Sequence, residues 1–168
     1  LVSIPSISTD GAHGAELDQS AEIVAQLAAE TGFPEVEILR PDSGYPAVMA
    51  SWTVDPKAST VLMLSHHDVQ PVNYRSEWKT DPWVLQEKDG RLFGRGAADD
   101  KGGVIAQITA VKAWAKTHGK PPVNVKLLIE GEEEIGSQNL LSLAEQNRQR
   151  LHADALVVCD TENISVGL

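Results

Sequence analysis

The chain has 168 residues, with 14 lysines and arginines against 24 aspartates and glutamates, so its formal net charge is −10 at pH 7. This length suits one domain, and the 42% apolar and 23% charged shares exclude an intrinsically disordered chain. The acidic balance argues against nucleic acid and membranes as partners, because anionic phosphates attract basic surfaces. No apolar stretch reaches the roughly 20 residues of a membrane span. A single cysteine, Cys159, excludes an internal disulfide and favours a cytoplasmic location.

The hydrophobic pattern predicts alternating strands and helices. In chain order these are a helix over 16–31, strands over 36–39, 47–54 and 60–65, a long polar stretch over 73–90, a helix from 104 to about 118, a strand over 124–129, a helix over 137–150 and a strand over 153–159. Residues 164–168 are also strand-like. Such alternation is typical of an α/β fold, here a mainly parallel sheet flanked by helices. Gly102 and Gly103 are expected to let the second long helix pack closely on the sheet.

Imidazole and carboxylate side chains follow three of the predicted strands and precede one helix. They are His66 to Asp68 after the strand over 60–65, Asp99 and Asp100 before the helix from 104, the glutamates of 130–134, and Asp160 after the last strand. Each group alone is commonly a solvated loop or a helix cap. Parallel strands end at one edge of a sheet, so together the groups are expected to converge. Converging carboxylates repel one another unless a cation lies between them, which predicts a metal site.

The types of side chain narrow the choice of metal. Imidazole with carboxylate, and no usable thiolate, suits Zn²⁺, Mn²⁺ or Co²⁺ better than Ca²⁺. One carboxylate can bridge two such ions and so place a water molecule as nucleophile. A carboxylate that is not a ligand can then accept the proton of that water. The glutamates of residues 130–134 can supply both a metal ligand and a neighbouring carboxylate that acts as the base.

Four motifs in this order resemble the dinuclear-zinc metallopeptidases of the aminoacylase, carboxypeptidase G and carnosinase group. They are His66-x-Asp68, residues 94–102, Glu133-Glu134-x-Gly136-Ser137 and Asp160. Within this group the sequence is most similar to carnosinase-type dipeptidases. The similarity lies in residues 66–71, residues 89–96 and the pair Trp78 and Trp83. The two tryptophans would line the mouth of the site or cover the sheet edge. The resemblance covers nearly the whole chain and implies a zinc-exopeptidase (phosphorylase/hydrolase-like) catalytic domain.

The resemblance also implies the metal ligands. His66 and Asp160 would bind one ion and Glu134 the other, while Asp99 would bridge both. The cofactors would be two Zn²⁺ ions, with Mn²⁺ or Co²⁺ as alternatives. In this family the peptide bond after the bridging aspartate is cis, so we expect a cis bond between Asp99 and Asp100.

Two further residues receive roles by the same resemblance. Glu133 would be the general base that activates the water and passes its proton to the leaving amine. Asp68 would orient His66 through the far ring nitrogen. The implied activity is hydrolysis of a peptide bond in dipeptides or short peptides. The alternatives are an N-acyl amino-acid deacylase of the succinyl-diaminopimelate or acetyl-ornithine type, or a non-catalytic metal-binding fragment.

Some parts of the family pattern have no counterpart in this sequence. The second ion needs a further histidine from far down the chain, and a lid and dimerisation domain normally follows the region of Asp160. We therefore expect residues 1–168 to be the N-terminal part of the catalytic domain, inactive alone, with an incomplete second metal site and a homodimeric full-length parent. The remaining histidines are predicted to lie in loops or helix ends on surface-like segments; they are His13, His67, His118 and His152.

Overall fold

A five-stranded sheet forms the centre of the computed structural model, which describes residues 1–160. The helices are α1 (Gly14–Thr31), α2 (Lys101–His118), α3 (Leu140–Gln146) and α4 (Arg148–Leu151). The strands are β1 (Glu35–Leu39), β2 (Ala47–Trp52), β3 (Thr60–His66), β4 (Gln86–Lys88), β5 (Arg91–Phe93), β6 (Asn124–Glu130) and β7 (Ala155–Val158). The predicted strand over 164–168 lies outside the described residues.

The order of strands in the sheet is β1-β2-β6-β3-β7. Strand β3 pairs in parallel with β6 and β7, whereas β2 is antiparallel to both β1 and β6. Four of the five strands therefore point the same way and β2 alone is reversed, which confirms the predicted α/β fold with a mainly parallel sheet. The carboxyl ends of β3, β6 and β7 meet at one edge, and this arrangement positions the site.

Apolar side chains fill both sides of the sheet. On one side α1 and α2 pack against it, and the buried residues shared with the strands include Val24, Ala28, Val104, Ile108, Val48 and Leu127. On the other side α3 contributes Leu143 to a smaller cluster with Leu39, Met49 and Leu128. Burial of each aliphatic side chain contributes about 1.5–3 kcal/mol, so the two layers hold the strands in register. No helix among residues 1–160 is long and apolar enough to cross a membrane.

The predicted helix over 137–150 is wrong in two respects. It begins only at Leu140, because Gly136 and Ser137 have φ of 85° and 51°, which an α-helix does not allow. It is also divided at Asn147, whose side-chain Nδ2 donates a hydrogen bond to Leu143 O at 2.9 Å. Such local bonds from asparagine compete with the helical ladder.

A hairpin of β4 and β5 interrupts the predicted polar stretch over 73–90. Its turn is Asp89-Gly90, and both residues have positive φ, 53° and 71°. Two positive φ values are typical of the type I′ turn that joins two short antiparallel strands. The Asp-Gly pair was therefore a hairpin signal that the sequence-based prediction did not use.

The contact between α2 and the sheet is confirmed for one of the two glycines. A Cβ at Gly103 would overlap the backbone oxygen of Cys159 and the side chain of Asp100. A Cβ at Gly102 would instead overlap Ala97 O, so this glycine serves the turn before the helix rather than the sheet. The carboxyl end of β7 thus lies directly against the first turn of α2.

Candidate metal centre

Three side chains from separate elements converge at the carboxyl edge of the sheet. His66 is the last residue of β3, Asp160 follows β7, and Asp99 lies just before α2. One donor atom from each of them lies within 4.8 Å of the other two. Strands β3 and β7 are neighbours in the sheet, which brings His66 close to Asp160. The hydrogen bond from the His66 backbone N–H to Asp100 Oδ2 holds the adjacent Asp99 at the same edge. We call His66, Asp99 and Asp160 the metal cluster.

The imidazole of His66 is oriented from both ring nitrogens. Nε2 lies 3.0 Å from Asp99 Oδ1 and 3.8 Å from Asp160 Oδ2, while Nδ1 lies 3.2 Å from Asp68 Oδ1. Burial lowers the pKa of His66, but the hydrogen bond with Asp68 and the charges of Asp68, Asp100 and Asp160 raise it to about 10. The carboxylates thus favour a positive charge at this point. A neutral imidazole that keeps its proton on Nδ1 presents the Nε2 lone pair to a cation, so this donor set fits a divalent metal ion.

Asp68 is buried and connects His66 to the residues after β6. Its Oδ2 accepts hydrogen bonds from Ser8 Oγ at 2.6 Å and from the Glu134 backbone N–H at 3.1 Å, and Oδ1 accepts one from the Glu133 N–H at 3.3 Å. Burial raises the pKa of Asp68, but the hydrogen bonds with His66 and Ser8 outweigh it and hold the pKa below its usual value. Asp68 therefore stays ionised while it orients both the imidazole and the glutamate turn.

Glu133 lies at the rim of the metal cluster. Its Oε2 is 3.9 Å from His66 Nε2, and its side chain is 42% exposed. Partial burial raises the pKa of Glu133, with further increases from the charges of Asp160, Asp68 and Asp99 and an opposing effect of His66. A carboxylate with a raised pKa and access to solvent is suited to accept a proton.

Glu134 lies beside Gln70, outside the group of three. Its Oε2 accepts a hydrogen bond from Gln70 Nε2 at 2.7 Å, and its Oε1 accepts one from the Gln70 backbone N–H at 3.2 Å. Burial raises the pKa of Glu134, the hydrogen bond with Gln70 lowers it, and the charge of Asp99 raises it further. Asp99 Oδ1 lies 3.0 Å from His66 Nε2, and the assignments of Glu134 as a ligand and of Asp99 as the bridge stay predictions.

Comparison with known proteins places the chain in a family. The sequence profile of Peptidase family M20/M25/M40 matches residues 62–167, more than half of the chain. The chain belongs to this peptidase family. It is 44% identical over 122 residues to the Beta-Ala-His dipeptidase of Homo sapiens, a match that covers 71% of this chain and 24% of the human protein. It is 34% identical over 178 residues to the Cys-Gly metallodipeptidase dug1 of Schizosaccharomyces pombe, covering 99% of this chain and 37% of that protein.

A solved structure agrees with the sequence matches. The crystal structure of human carnosine dipeptidase 1 superimposes with a TM-score of 0.87 at 36% identity, covering 98% of this chain and 37% of that one. The chain therefore spans only 24% to 37% of the length of these three relatives. The sequence-based resemblance to the carnosinase group is confirmed, and the fold is that of an M20 catalytic domain.

Several residues of this M20 site carried no role in the sequence-based prediction. Asp100 is buried and accepts a hydrogen bond from the His66 backbone N–H at 3.1 Å, and burial raises its pKa to about 6. Its peptide bond with Asp99 is cis, as the resemblance implied. Gln70 and Ser8 hold the carboxylates of Glu134 and Asp68. The position of Asp100 beside Asp99 was a usable signal, whereas Ser8 lies 60 residues from its partner and carried none.

The four other histidines lie in loops or at helix ends, as predicted, but His67 is not on the surface. His67 is fully buried directly after β3, with Nε2 2.9 Å from Pro46 O. Burial lowers its pKa to about 4, so the ring is neutral at pH 7 and donates its Nε2 proton to that carbonyl. The prediction of a surface-like position was wrong because His67 enters the core, whereas the neighbouring His66 faces the metal cluster.

The first residue of α2 is a buried lysine. Lys101 Nζ donates hydrogen bonds to Leu1 O at 3.1 Å and Ile4 O at 2.7 Å. Burial lowers the pKa of Lys101 to about 8. The start of α2, two residues after Asp99, is therefore tied to the N-terminal segment.

The two tryptophans have different surroundings in this M20 domain. Trp78 lies under the guanidinium of Arg95, whose carbon is 5.5 Å from the ring centre. Trp83 borders an apolar groove of about 700 Å³ together with Leu1, Ile23 of α1 and Ile105 of α2. Trp83 therefore adjoins the helical layer rather than the edge of the sheet.

Proposed function

We propose that this chain carries most of the catalytic site of a metal-dependent dipeptidase, which hydrolyses the peptide bond of dipeptides or short peptides. The convergence of His66, Asp99 and Asp160 within 4.8 Å carries the proposal, because it joins a divalent-ion donor set to a neighbouring carboxylate base. Glu133 supplies that base, 3.9 Å from His66 Nε2. The names of two relatives, Beta-Ala-His dipeptidase and Cys-Gly metallodipeptidase, support a dipeptide as substrate.

Four side chains would hold the ions. His66 and Asp160 would bind one Zn²⁺, Glu134 the other, and Asp99 both, with Mn²⁺ or Co²⁺ as substitutes. When bound, these ions would supply Lewis-acid chemistry at the scissile carbonyl.

The roles of the remaining residues follow from their contacts. Asp68 holds the proton of His66 on Nδ1 and so keeps Nε2 directed at the cluster. Glu133 accepts the proton of the attacking water and delivers it to the leaving amine, because its pKa lies above the usual carboxylate value. Gln70 orients the carboxylate of Glu134 by two hydrogen bonds.

We also propose a wider setting for the site. Residues 1–168 would be the N-terminal part of a longer catalytic domain, since the chain spans 24% to 37% of its relatives' lengths. A histidine outside this sequence would complete the second metal site, and a lid and dimerisation domain would make the parent a homodimer. The single cysteine supports a cytoplasmic location.

The substrate class is tested by assaying the full-length protein on a panel of dipeptides and a panel of N-acyl amino acids. We expect turnover of dipeptides. Turnover of the acyl substrates alone would replace the dipeptidase by a deacylase of the succinyl-diaminopimelate or acetyl-ornithine type. Absence of both activities with metal still bound would leave a non-catalytic metal-binding module.

The role of Glu133 is tested by Glu133→Gln in the full-length protein. The amide has nearly the same shape but cannot accept the proton, so we expect kcat to fall by about 10²–10⁴-fold, the usual contribution of a general base. Metal content, measured by atomic emission, should not change, because Glu133 is not assigned as a ligand. Glu145→Gln on the exposed surface of α3 is the matched control. Retained activity in Glu133→Gln would show that the base is misassigned.

A further inference from the structure

Glu132, the first of three consecutive glutamates, points away from the metal cluster. It is 4% exposed, and its carboxylate accepts hydrogen bonds from the Tyr45 backbone N–H at 2.8 Å and from the Asn139 backbone N–H at 3.0 Å. Asn139 Nδ2 donates to both of its oxygens, at 3.0 and 3.1 Å. Hydrogen bonds to a charged acceptor are among the stronger ones in proteins. Glu132 therefore has a complete set of partners of its own.

The backbone of Glu132 closes the turn that carries the two catalytic glutamates. Its carbonyl accepts hydrogen bonds from the N–H groups of Ile135 at 3.2 Å and Ser137 at 2.8 Å. We call residues 132–137 the catalytic turn. On the side of the metal cluster, the carboxylate of Asp68 accepts hydrogen bonds from the backbone N–H groups of Glu133 and Glu134. The catalytic turn is thus held from the front by Asp68 and from behind by Glu132.

The loop before β2 is shaped to receive the Glu132 carboxylate. Gly44 has φ of 97°, and a Cβ there would overlap Glu132 Oε1 and lie 2.5 Å from Asn139 Nδ2. Two residues along, Pro46 O accepts the Nε2 proton of His67. One short loop therefore contacts both the chain that leaves β3 and the chain that leaves β6.

We propose that Glu132 is a positioning residue, which fixes the catalytic turn so that Glu133 and Glu134 face the metal cluster. The inference rests on the proposed function for the roles of those two glutamates. Its physical basis is the separation of charge: three successive carboxylates repel one another. The Glu132 carboxylate accepts its hydrogen bonds from Tyr45 and Asn139, on the side away from the metal cluster. These bonds compensate its charge, and they hold the backbone of the next two residues in one orientation.

Two variants disturb this arrangement in different ways, each with a matched control. Glu132→Gln keeps the shape but replaces one acceptor oxygen by a donor, which leaves a buried donor facing another donor. Its control is Glu145→Gln on the exposed face of α3. Gly44→Ala displaces the carboxylate without altering it, and its control is Gly119→Ala, where φ is 82° but nothing lies within 4 Å of the added Cβ. Asn139→Ala, which removes one side-chain donor to Glu132 and the acceptor of Ser43 Oγ, is a milder third variant.

The first measurement is amide hydrogen exchange of the metal-free chain. We expect exchange at Glu133, Glu134 and Ser137 to accelerate by about tenfold or more in Glu132→Gln and Gly44→Ala, while the amides of β6 stay as protected as in the controls. Asn139→Ala should give a smaller acceleration at the same amides. Exchange within twofold of the wild type at the catalytic turn in all three variants overturns the proposal, as does an equal acceleration throughout β6.

The second measurement is titration of the full-length protein with Co²⁺, followed by the visible absorption of the bound ions. We expect Glu132→Gln to weaken binding by roughly 10–100-fold, the effect usual for residues that support metal ligands, and to change the spectrum, because Glu134 is no longer held in place. An unchanged affinity and spectrum would contradict the positioning role. A wild-type full-length protein that binds no Co²⁺ would contradict the proposed function instead, and hydrogen exchange would still decide the role of Glu132.

Discussion

His66 and His67 are adjacent in sequence and opposite in environment. As the chain leaves β3, His66 turns to the carboxylates of the metal cluster, and its pKa rises to about 10. His67 turns into the core beneath Pro46, where burial lowers its pKa to about 4. Successive side chains of an extended chain point to opposite sides, which explains how two neighbours differ so widely.

The neutral state of His67 predicts an acid-sensitive contribution to stability. Its pKa in the folded chain, about 4, lies below the usual 6.5, so between these values the unfolded chain binds more protons. Neutral His67 therefore contributes about 3 kcal/mol to the free energy of unfolding above pH 6.5, and this contribution is lost as the pH falls to 4. His67→Gln, which keeps a donor for Pro46 O, should lose less free energy of unfolding over this range.

Urea unfolding of the metal-free chain at pH 6.5 and pH 4 measures this difference. His118→Gln, at the exposed end of α2, is the control and should follow the wild type. Equal pH dependence in the wild type and His67→Gln would contradict the burial effect. The comparison is made between variants because Asp100 and Glu130, whose pKa values burial raises to about 6 and 7, titrate in the same range with the opposite sign.

The members of the metal cluster could be predicted because each lies at the end of a recognisable element. His66 and Asp160 follow apolar strands, so sheet topology brings these two to one edge, and the start of α2 adds Asp99. The partners of Asp68 and Glu134 could not be predicted in this way. Ser8 and Gln70 contact carboxylates 60 and 64 residues away, and such contacts depend on how loops pack once the fold has formed.

The first turn of helix α2 lies directly against the residue that follows strand β7, close to the site. Gly103, in the first turn of α2, leaves no room for a side chain against Cys159 O and Asp100. The residue after Cys159 is Asp160, a member of the metal cluster. The geometry of this helix start therefore affects the cluster through the backbone of β7.

Gly103→Ala should consequently weaken both stability and metal binding. The added methyl group must displace either α2 or the end of β7, and such overpacking costs about 1–3 kcal/mol. We expect a lower midpoint of urea unfolding and a weaker affinity for Mn²⁺, measured by isothermal titration calorimetry. Gly14→Ala, at the start of α1 with nothing within 4 Å of the added Cβ, is the control and should change neither. Unchanged Mn²⁺ affinity in a destabilised Gly103→Ala would refute the coupling.

The buried strands were predicted to within about two residues, whereas the connections after them were not. Strand β3 contains the apolar run 61–64, and β6 has four apolar residues interrupted by Lys126, a composition typical of strands covered on both faces of a sheet. The catalytic turn and the hairpin of β4 and β5 instead depend on positive φ values, at Gly136, Ser137, Asp89 and Gly90. Hydrophobic periodicity contains no information about these dihedral angles.

Part of the negative charge of the whole molecule, which has a net charge of −10, lies at one edge of the sheet. Two carboxylates of the metal cluster, Asp99 and Asp160, lie there. Repulsion among converging carboxylates opposes folding, and a cation bound only by the folded chain would relieve this repulsion. Mn²⁺ at 100 times its dissociation constant should raise the free energy of unfolding by about 2.7 kcal/mol. Urea unfolding with and without Mn²⁺ measures this stabilisation.

Substitution of a cluster member should abolish most of the Mn²⁺ effect. Asp160→Asn removes one charged ligand from the end of β7 and should leave a stabilisation well below that of the wild type. Asp42→Asn, in an exposed loop, also removes one negative charge and should retain the full effect. Equal losses in the two variants would mean that the ion is attracted by the overall charge rather than by the cluster.

The three donors of the metal cluster differ in their access to solvent. The side chain of His66 is 1% exposed, whereas those of Asp99 and Asp160 are 62% and 33% exposed. An ion at the metal cluster would therefore be held by one buried nitrogen and by two carboxylates that reach into solvent. We expect a chelator to remove such an ion after rotation of the two carboxylate side chains, without unfolding of the sheet.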